Sequence, residues 1–127
     1  MIALFAATAL SFAQADPEIQ AQMTPVYLQC MAAAGRVPER RLACMTAETE
    51  RQDHRLNVVY RRMRTAASPE DRIELRDMER AWIQMRDSYC AADRARAGAG
   101  SRAAVAFADC YLAETIERRV WLEHRGN

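Results

Sequence analysis

The sequence contains no lysine, and it lacks patterns that are typical of nucleic-acid-binding, metal-binding and cofactor-binding proteins. All 18 basic residues are arginines, and 17 acidic residues are interleaved with them, so the net charge is only +1. No continuous basic stripe forms, which argues against nucleic-acid binding. We interpret the charges as solvated and mutually paired helix faces, and we expect no nucleic-acid partner.

The chain also lacks the spacings that metal sites and common cofactors require. Its four cysteines, Cys30, Cys44, Cys90 and Cys110, include no CxxC pair, and neither histidine lies near a cysteine in sequence. No glycine-rich phosphate loop is present. We therefore expect no metal ion and no cofactor. Four cysteines in a small exported chain are more typical of two disulfides.

Charge is missing from the first fifteen residues, MIALFAATALSFAQA, which end in the small-x-small pattern typical of signal peptidase sites. This run is shorter than the roughly 20 apolar residues that span a bilayer. We interpret residues 1–15 as a signal peptide, with the mature chain beginning near Asp16. The alternative is an ordinary buried N-terminal helix. Because charged residues separate Cys30 from the signal, we expect no lipid anchor, no membrane insertion after cleavage, and a periplasmic or secreted location.

Strand-like alternation is missing too, because apolar residues recur at three and four positions rather than at two. The spacing predicts a short helix over 24–34 and long helices over 39–67, 69–95 and 102–123. Turn residues separate them, with Gly35 expected to end the first helix and Ser101 expected to cap the last. The sequence therefore predicts an all-α fold, a small antiparallel bundle of one short and three long helices forming a single domain over 16–127.

The register of the bundle follows from its tight turns, because antiparallel helices pair residues that are equidistant from the turn between them. Around the glycine loop AGAGS this rule places Cys90 opposite Cys110, and around GRVPER it places Cys30 opposite Cys44. We therefore predict the disulfides Cys30–Cys44 and Cys90–Cys110. Each would stabilise the fold by roughly 3 kcal/mol if loop entropy in the unfolded chain sets the gain.

Apolar rows predict which helix faces are buried. In the third helix the predicted inward row is Leu75, Met78, Trp82, Met85 and Tyr89. In the last helix it is Val105, Ala108, Leu112, Thr115, Ile116 and Leu122.

The same register brings polar residues together between the helices. It places Asp53, Trp82 and Arg118 in one layer, where Asp53 is expected to pair with Arg118. Arg86 falls one turn further along, near carboxylates of other helices. Those carboxylates are Glu50 and Glu114. No histidine, activated nucleophile or pair of carboxylates flanking a cleft accompanies the layer, so catalysis is disfavoured and we expect no enzyme. A network that fixes helix register and a recognition surface both remain open.

Several segments, in order, resemble the LprI-type lysozyme inhibitor family: DHRLNVVY, AWIQMRDSYC, a Gly-Ser step and CYLAETIERRVWL. The resemblance covers about 30–123. The matching positions are Asp53, Leu56, Asn57, Tyr60, Trp82, Arg86, Asp87, Cys90, Gly100, Ser101, Cys110, Thr115, Arg118 and Leu122.

The resemblance implies an exported helical domain with a protein partner, and a lysozyme-like muramidase is the partner it suggests. Such a protein would protect peptidoglycan by binding and occluding the enzyme. A net charge of +1 provides no overall steering toward a basic lysozyme. The alternative is therefore an interaction or scaffold module of the envelope with another partner and no inhibitory activity.

Overall fold

The computed structural model describes residues 16–126, and proline occupies the first position of four of its five helices. These are α1 (Pro17–Ala21), α2 (Pro25–Ala34), α3 (Pro38–Ala66), α4 (Pro69–Ala97) and α5 (Gly100–Arg125). Proline suits this position because its fixed φ matches the helix and the N–H it lacks would have no partner there. The predicted signal peptide lies outside the described residues. No helix between residues 16 and 126 is long and apolar enough to cross a membrane.

Side-chain caps set most of the helix starts. The Asp16 carboxylate accepts a hydrogen bond from the Glu18 amide at 2.9 Å, and the Ser68 hydroxyl accepts one from the Asp71 amide at 3.2 Å. At the start of α5 the prediction is wrong. Ala99 is the cap residue and makes no side-chain bond, so Ser101 lies inside the first turn.

The last helix occupies the middle of the bundle. α5 packs along both α3 and α4, whereas α3 and α4 make little contact with each other although only residues 67–68 join them. α2 packs on α3, and α1 reaches α5. The predicted all-α bundle is confirmed. The structure adds α1, a helix of five residues, to the one short and three long helices that the sequence predicts.

Two apolar clusters form the core. The larger joins α1 and α2 to α3 and α5, with Leu112, Ala113 and Ile116 completely buried at its centre. The smaller joins α3, α4 and α5. Its buried members are Leu56, Trp82 and Leu122.

The buried row of α4 differs from the prediction. Met85 and Tyr89 are 56% and 49% exposed. Trp82 is buried as predicted, and the other buried residues of α4 are Glu79, Arg86 and Cys90. Because Cys90 is bonded to Cys110, the face of α4 that carries Cys90 turns toward α5, and this rotation carries Met85 and Tyr89 out of the interface.

Both predicted disulfides are confirmed. Cys30–Cys44 joins α2 to α3 with a Cα separation of 5.8 Å, and Cys90–Cys110 joins α4 to α5 with a Cα separation of 5.5 Å. Each bridge crosses one tight turn, as the register rule requires. The bridges therefore fix two of the three helix hairpins and leave the α3–α4 hairpin without a covalent tie.

Candidate functional site

A groove of about 370 Å³ separates α3 from α4. α3 contributes Asp53, Leu56, Asn57 and Tyr60, and α4 contributes Arg76, Glu79, Arg80, Trp82, Ile83 and Arg86. Most of the predicted polar site residues therefore meet on one surface. The two that do not line the groove, Thr115 and Arg118, belong to α5, the helix that packs against both walls.

Helical spacing builds the α3 wall, because residues 53, 56, 57 and 60 share one face of that helix. The Asn57 amide nitrogen donates to the Asp53 carboxylate at 3.2 Å. Asn57 is exposed, whereas Asp53 and Tyr60 are partly buried. This wall therefore presents an amide, a carboxylate and a phenol at successive turns, all of which are suited to hydrogen bonding.

Stacking positions Arg86 on the α4 wall. Its guanidinium lies 4.7 Å from the centre of the Trp82 ring and 3.9 Å from that of Tyr111, and its Nε donates to Asp87 at 3.3 Å. Arg86 forms no ion pair with Glu50 or Glu114, although it lies close enough to Glu114, as predicted, to interact with it electrostatically. The faces of two aromatic rings and the adjacent aspartate stabilise its charge instead.

Arg118 lies behind the groove and holds α5 to α4. Its Nε donates to Glu79 at 2.7 Å, a second guanidinium nitrogen reaches the same oxygen, and its cation stacks 4.2 Å from the centre of the Trp121 ring. The predicted pairing with Asp53 is wrong, because α3 and α4 diverge and leave Asp53 on the far wall. The predicted proximity to Trp82 is confirmed, with 5.7 Å between guanidinium carbon and ring centre.

Sequence reasoning missed the one completely buried arginine among the described residues, Arg119. Its guanidinium donates to Gln52 at 2.8 Å, to Gln22 at 2.8 Å and to Glu123 at 2.7 Å. Burial lowers the pKa of Arg119 from its ordinary value. Its place in the sequence was the available signal, since Arg119 continues the inward row between Ile116 and Leu122.

A second buried polar group fastens the N-terminal segment. The Glu48 carboxylate is fully buried and accepts hydrogen bonds from the Thr24 amide at 2.6 Å, the Thr24 hydroxyl at 2.8 Å and Arg51 at 2.8 Å. The side-chain amide of Gln52 donates to the Gln22 carbonyl at 2.9 Å. These bonds hold the residues between α1 and α2 against α3, which is a structural role.

Thr115 is buried, and its hydroxyl donates to the Tyr111 carbonyl one turn earlier in α5 at 2.7 Å. It therefore lies in the core and not on the groove surface. Burial is also the main cause of the raised pKa values of Tyr111 and Glu114, on the same helix.

The groove offers binding chemistry of mixed charge. Its lining includes the carboxylates of Asp53 on α3 and Glu79 on α4, three guanidinium groups on α4, and the aromatic side chains of Tyr60 and Trp82. Between residues 16 and 126, no group of three His, Cys, Asp or Glu side chains is placed to hold a metal ion. The four cysteines are all in disulfides and offer no thiol.

The segments that contain the groove residues match a known protein family. A family model described as Lysozyme inhibitor LprI matches residues 30–122. The chain belongs to the LprI lysozyme inhibitor family. A search of curated proteins and a search of solved structures returned no match.

The LprI match contains both disulfides and every residue that lines the groove. It begins at Cys30, so α1 and the polar residues between α1 and α2 lie outside the matched region. The groove therefore belongs to the LprI part of the chain. Glu48 and Arg119 also lie inside the match, whereas the N-terminal segment that they hold lies outside it.

Proposed function

We propose that this LprI family member is exported to the bacterial envelope, where it binds a lysozyme-like muramidase and blocks access to the enzyme's cleft. It acts by steric occlusion, without chemistry of its own, and so protects peptidoglycan. Membership of a family described as lysozyme inhibitors supports this function. Two disulfides support export, because they persist in oxidising compartments.

The observation that carries the proposal is the convergence of the family motif on the groove. Asp53, Asn57 and Tyr60 come from one segment of the chain and Trp82 and Arg86 from another, yet all five line the same surface. Aromatic and arginine side chains are enriched among the residues that dominate protein–protein binding energy. We therefore place the muramidase on the groove between α3 and α4.

The rim of the groove supplies residues that a partner can reach. Arg80 is exposed and forms no hydrogen bond or ion pair with any described residue, and Ile83 is 40% exposed. Behind the rim, Arg86 and Trp82 are already held in place by stacking. A surface fixed before binding loses little side-chain entropy when the partner arrives, which favours affinity.

A cleavage site after Ala15 fits the start of α1 as well. Asp16 caps α1 with its own carboxylate, so cleavage after Ala15 would leave the cap residue in the mature protein. We propose residues 16–127 as the mature domain. N-terminal sequencing of the protein recovered from the periplasm tests this, and a start beyond Asp16 would contradict it.

The test of inhibition follows the turbidity of a cell-wall suspension during lysozyme digestion, with and without the purified protein in its disulfide-bonded form. We expect digestion to slow in proportion to the protein added. Arg80→Ala should weaken inhibition about tenfold if Arg80 is among the residues that dominate binding. Arg62→Ala is the matched control, because Arg62 is also exposed and without a described partner but lies outside the groove.

The second candidate function is an envelope interaction or scaffold module with another partner. It is favoured by the net charge of +1, which gives no general attraction to strongly basic lysozymes. No slowing of digestion at micromolar excess, with both disulfides intact, would favour this function over inhibition.

A further inference from the structure

A stripe of mainly apolar side chains along α4 is exposed over most of its length, and at one end Glu74 and Met78 line a cavity together with Met63 and Arg125. Its central members are Met78, Ala81, Met85, Tyr89 and Ala92, with Glu74 at one end and Arg96 at the other. All are exposed except Met78, which is partly buried. We call these seven residues the α4 stripe. Their helical spacing is that of a buried face, yet no helix of the described chain covers it.

The spacing of the residues in the α4 stripe is symmetric about its centre. The steps between its neighbouring members are four, three, four, four, three and four residues, centred on Met85. An average of about 3.67 residues per turn is close to that of a straight helix. Two straight copies of α4 could therefore keep this face in contact over its length of about 33 Å.

Antiparallel pairing of two copies about Met85 produces matched side chains. Each Tyr89 meets Ala81 of the other copy, and each Met78 meets Ala92, so a large side chain always faces a small one. Alternation of large and small residues is how packed helices interdigitate. The two copies of Met85 meet at the two-fold axis, where the flexible thioether side chains can adapt to each other.

The charges at the two ends are complementary in the same register. Glu74 of one copy lies opposite Arg96 of the other, at both ends of the contact. Glu74 has no ion-pair partner among the described residues, and Arg96 is paired with Asp93 of its own helix while its side chain remains 66% exposed. Within a single chain, Glu74 and Arg96 are too far apart along α4 to interact.

We infer that the α4 stripe is the contact face of a two-fold symmetric homodimer in which two copies of α4 pack antiparallel about Met85. A closed contact of this kind uses the same patch on both copies. One helix pair of this length covers less than the roughly 800 Å² per partner of a standard interface, so the dimer dissociates on dilution. The groove uses other residues of α4, so each copy keeps its groove open.

Sedimentation equilibrium of the disulfide-bonded protein over a wide range of concentration tests the dimer. We expect the mass to rise from that of one chain to about twice that value. Met85→Glu places two carboxylates together at the two-fold axis, so this variant should remain a monomer at every concentration. Ile73→Glu is the matched control, because Ile73 is 54% exposed on another face of α4, and it should still dimerise.

The antiparallel register has its own test. Glu74→Arg alone brings like charges together at both ends and should weaken the dimer at least several-fold. Combining it with Arg96→Glu should restore association, and restoration requires the two positions to meet across the contact. Circular dichroism melting checks that each variant is folded.

Three results would overturn the inference: a wild-type protein that stays monomeric at the highest concentration, a dimer that survives Met85→Glu, or a double variant no better than Glu74→Arg. Loss of muramidase binding in Met85→Glu, with the wild-type protein monomeric, would instead assign the stripe to that partner.

Discussion

Arg118 and Arg119 are adjacent in α5 but hold different parts of the molecule. Arg118 reaches α4 through Glu79 and the aromatic rings, whereas Arg119 reaches α3 and the N-terminal segment through Gln52 and Gln22. Neighbouring positions on a helix point about 100° apart, so two arginines in sequence can serve two interfaces. The prediction chose Arg118 as the buried partner of α3, one residue away from the arginine that has this role.

Arg119→Met is expected to lower the free energy of unfolding by about 3 kcal/mol or more. The substitution leaves the side-chain oxygens of Gln52 and Gln22 without their donor in a buried site, and unpaired buried polar groups are costly. Urea unfolding followed by circular dichroism measures the change. Arg102→Met, at an exposed position of the same helix, is the control and should unfold like the wild-type protein.

Arg118→Met is expected to destabilise the protein by more than about 2 kcal/mol, because it leaves the buried carboxylate of Glu79 unpaired. Adding Glu79→Met removes that carboxylate and should recover most of the loss, since apolar residues can replace a buried ion pair at little cost. Unfolding in urea of both variants checks this. A double variant as unstable as the single one would show that the ion pair is not the cause.

Glu114 gives the protein a pH-dependent component of stability. Burial raises its pKa above the ordinary value of 4.5, and the charges of Glu117 and Asp93 add to the rise. The folded state therefore retains this proton where the unfolded chain has released it. Its contribution to stability is complete below pH 4.5 and is lost as pH rises through the raised pKa.

Glu114→Gln, which resembles the protonated form, is therefore expected to raise the melting temperature at neutral pH. The gain should shrink toward zero as the pH is lowered below 4.5. Melting curves at a series of pH values test this, with the exposed Glu50→Gln as control. A gain that did not change with pH would exclude titration of Glu114 as its source.

At the scale of helices, the turn residues allowed helix limits and disulfide pairs to be predicted from the sequence. Tight turns with proline or glycine set the helix limits to within about two residues, and position relative to the turn predicted both disulfides. Two features were not predictable in this way. α1 has only five residues, too few for a periodic pattern, and its docking depends on polar groups far along the chain. The rotation of α4 depends on Cys90–Cys110, which favours a face that contains Glu79 and Arg86 over a more apolar one.

The two disulfides are expected to contribute similarly to stability. Their cysteines are 14 and 20 residues apart in sequence, and loops of this size correspond to roughly 3 kcal/mol each. Replacing Cys90 and Cys110 by serine should lower the free energy of unfolding by about this amount, and the same should hold for Cys30 and Cys44. Urea unfolding measures both, and a non-reducing peptide map that joined Cys30 to Cys110 would contradict the pairing.

The α3–α4 hairpin shows what the position of a turn can and cannot predict about the packing of two helices. The Ser68 turn predicted Asp53 and Trp82 at the same level, and both of them line the groove. A turn fixes where two helices begin to run side by side but not whether they stay in contact. α5 packs against both of them, and the space left between α3 and α4 is the groove.

At the scale of the whole molecule, the position of α5 between α3 and α4 predicts that the fold depends on this helix. α3 and α4 have few contacts with each other and find their apolar partners on α5. A chain ended at Gly98 is therefore expected to lose cooperative unfolding and most of its helix signal in circular dichroism. A chain lacking residues 16–23 keeps α3, α4 and α5 and is the control, which should still unfold cooperatively.

The same arrangement has a consequence for biosynthesis. While α3 and α4 emerge from the ribosome, the helix that should cover them has not yet been made, and Cys90 has no partner until Cys110 follows. The nascent chain therefore cannot bury its core or close its second disulfide before α5 has been made. If the chain is exported as proposed, staying unfolded until α5 is made keeps it in the state that a translocation channel needs.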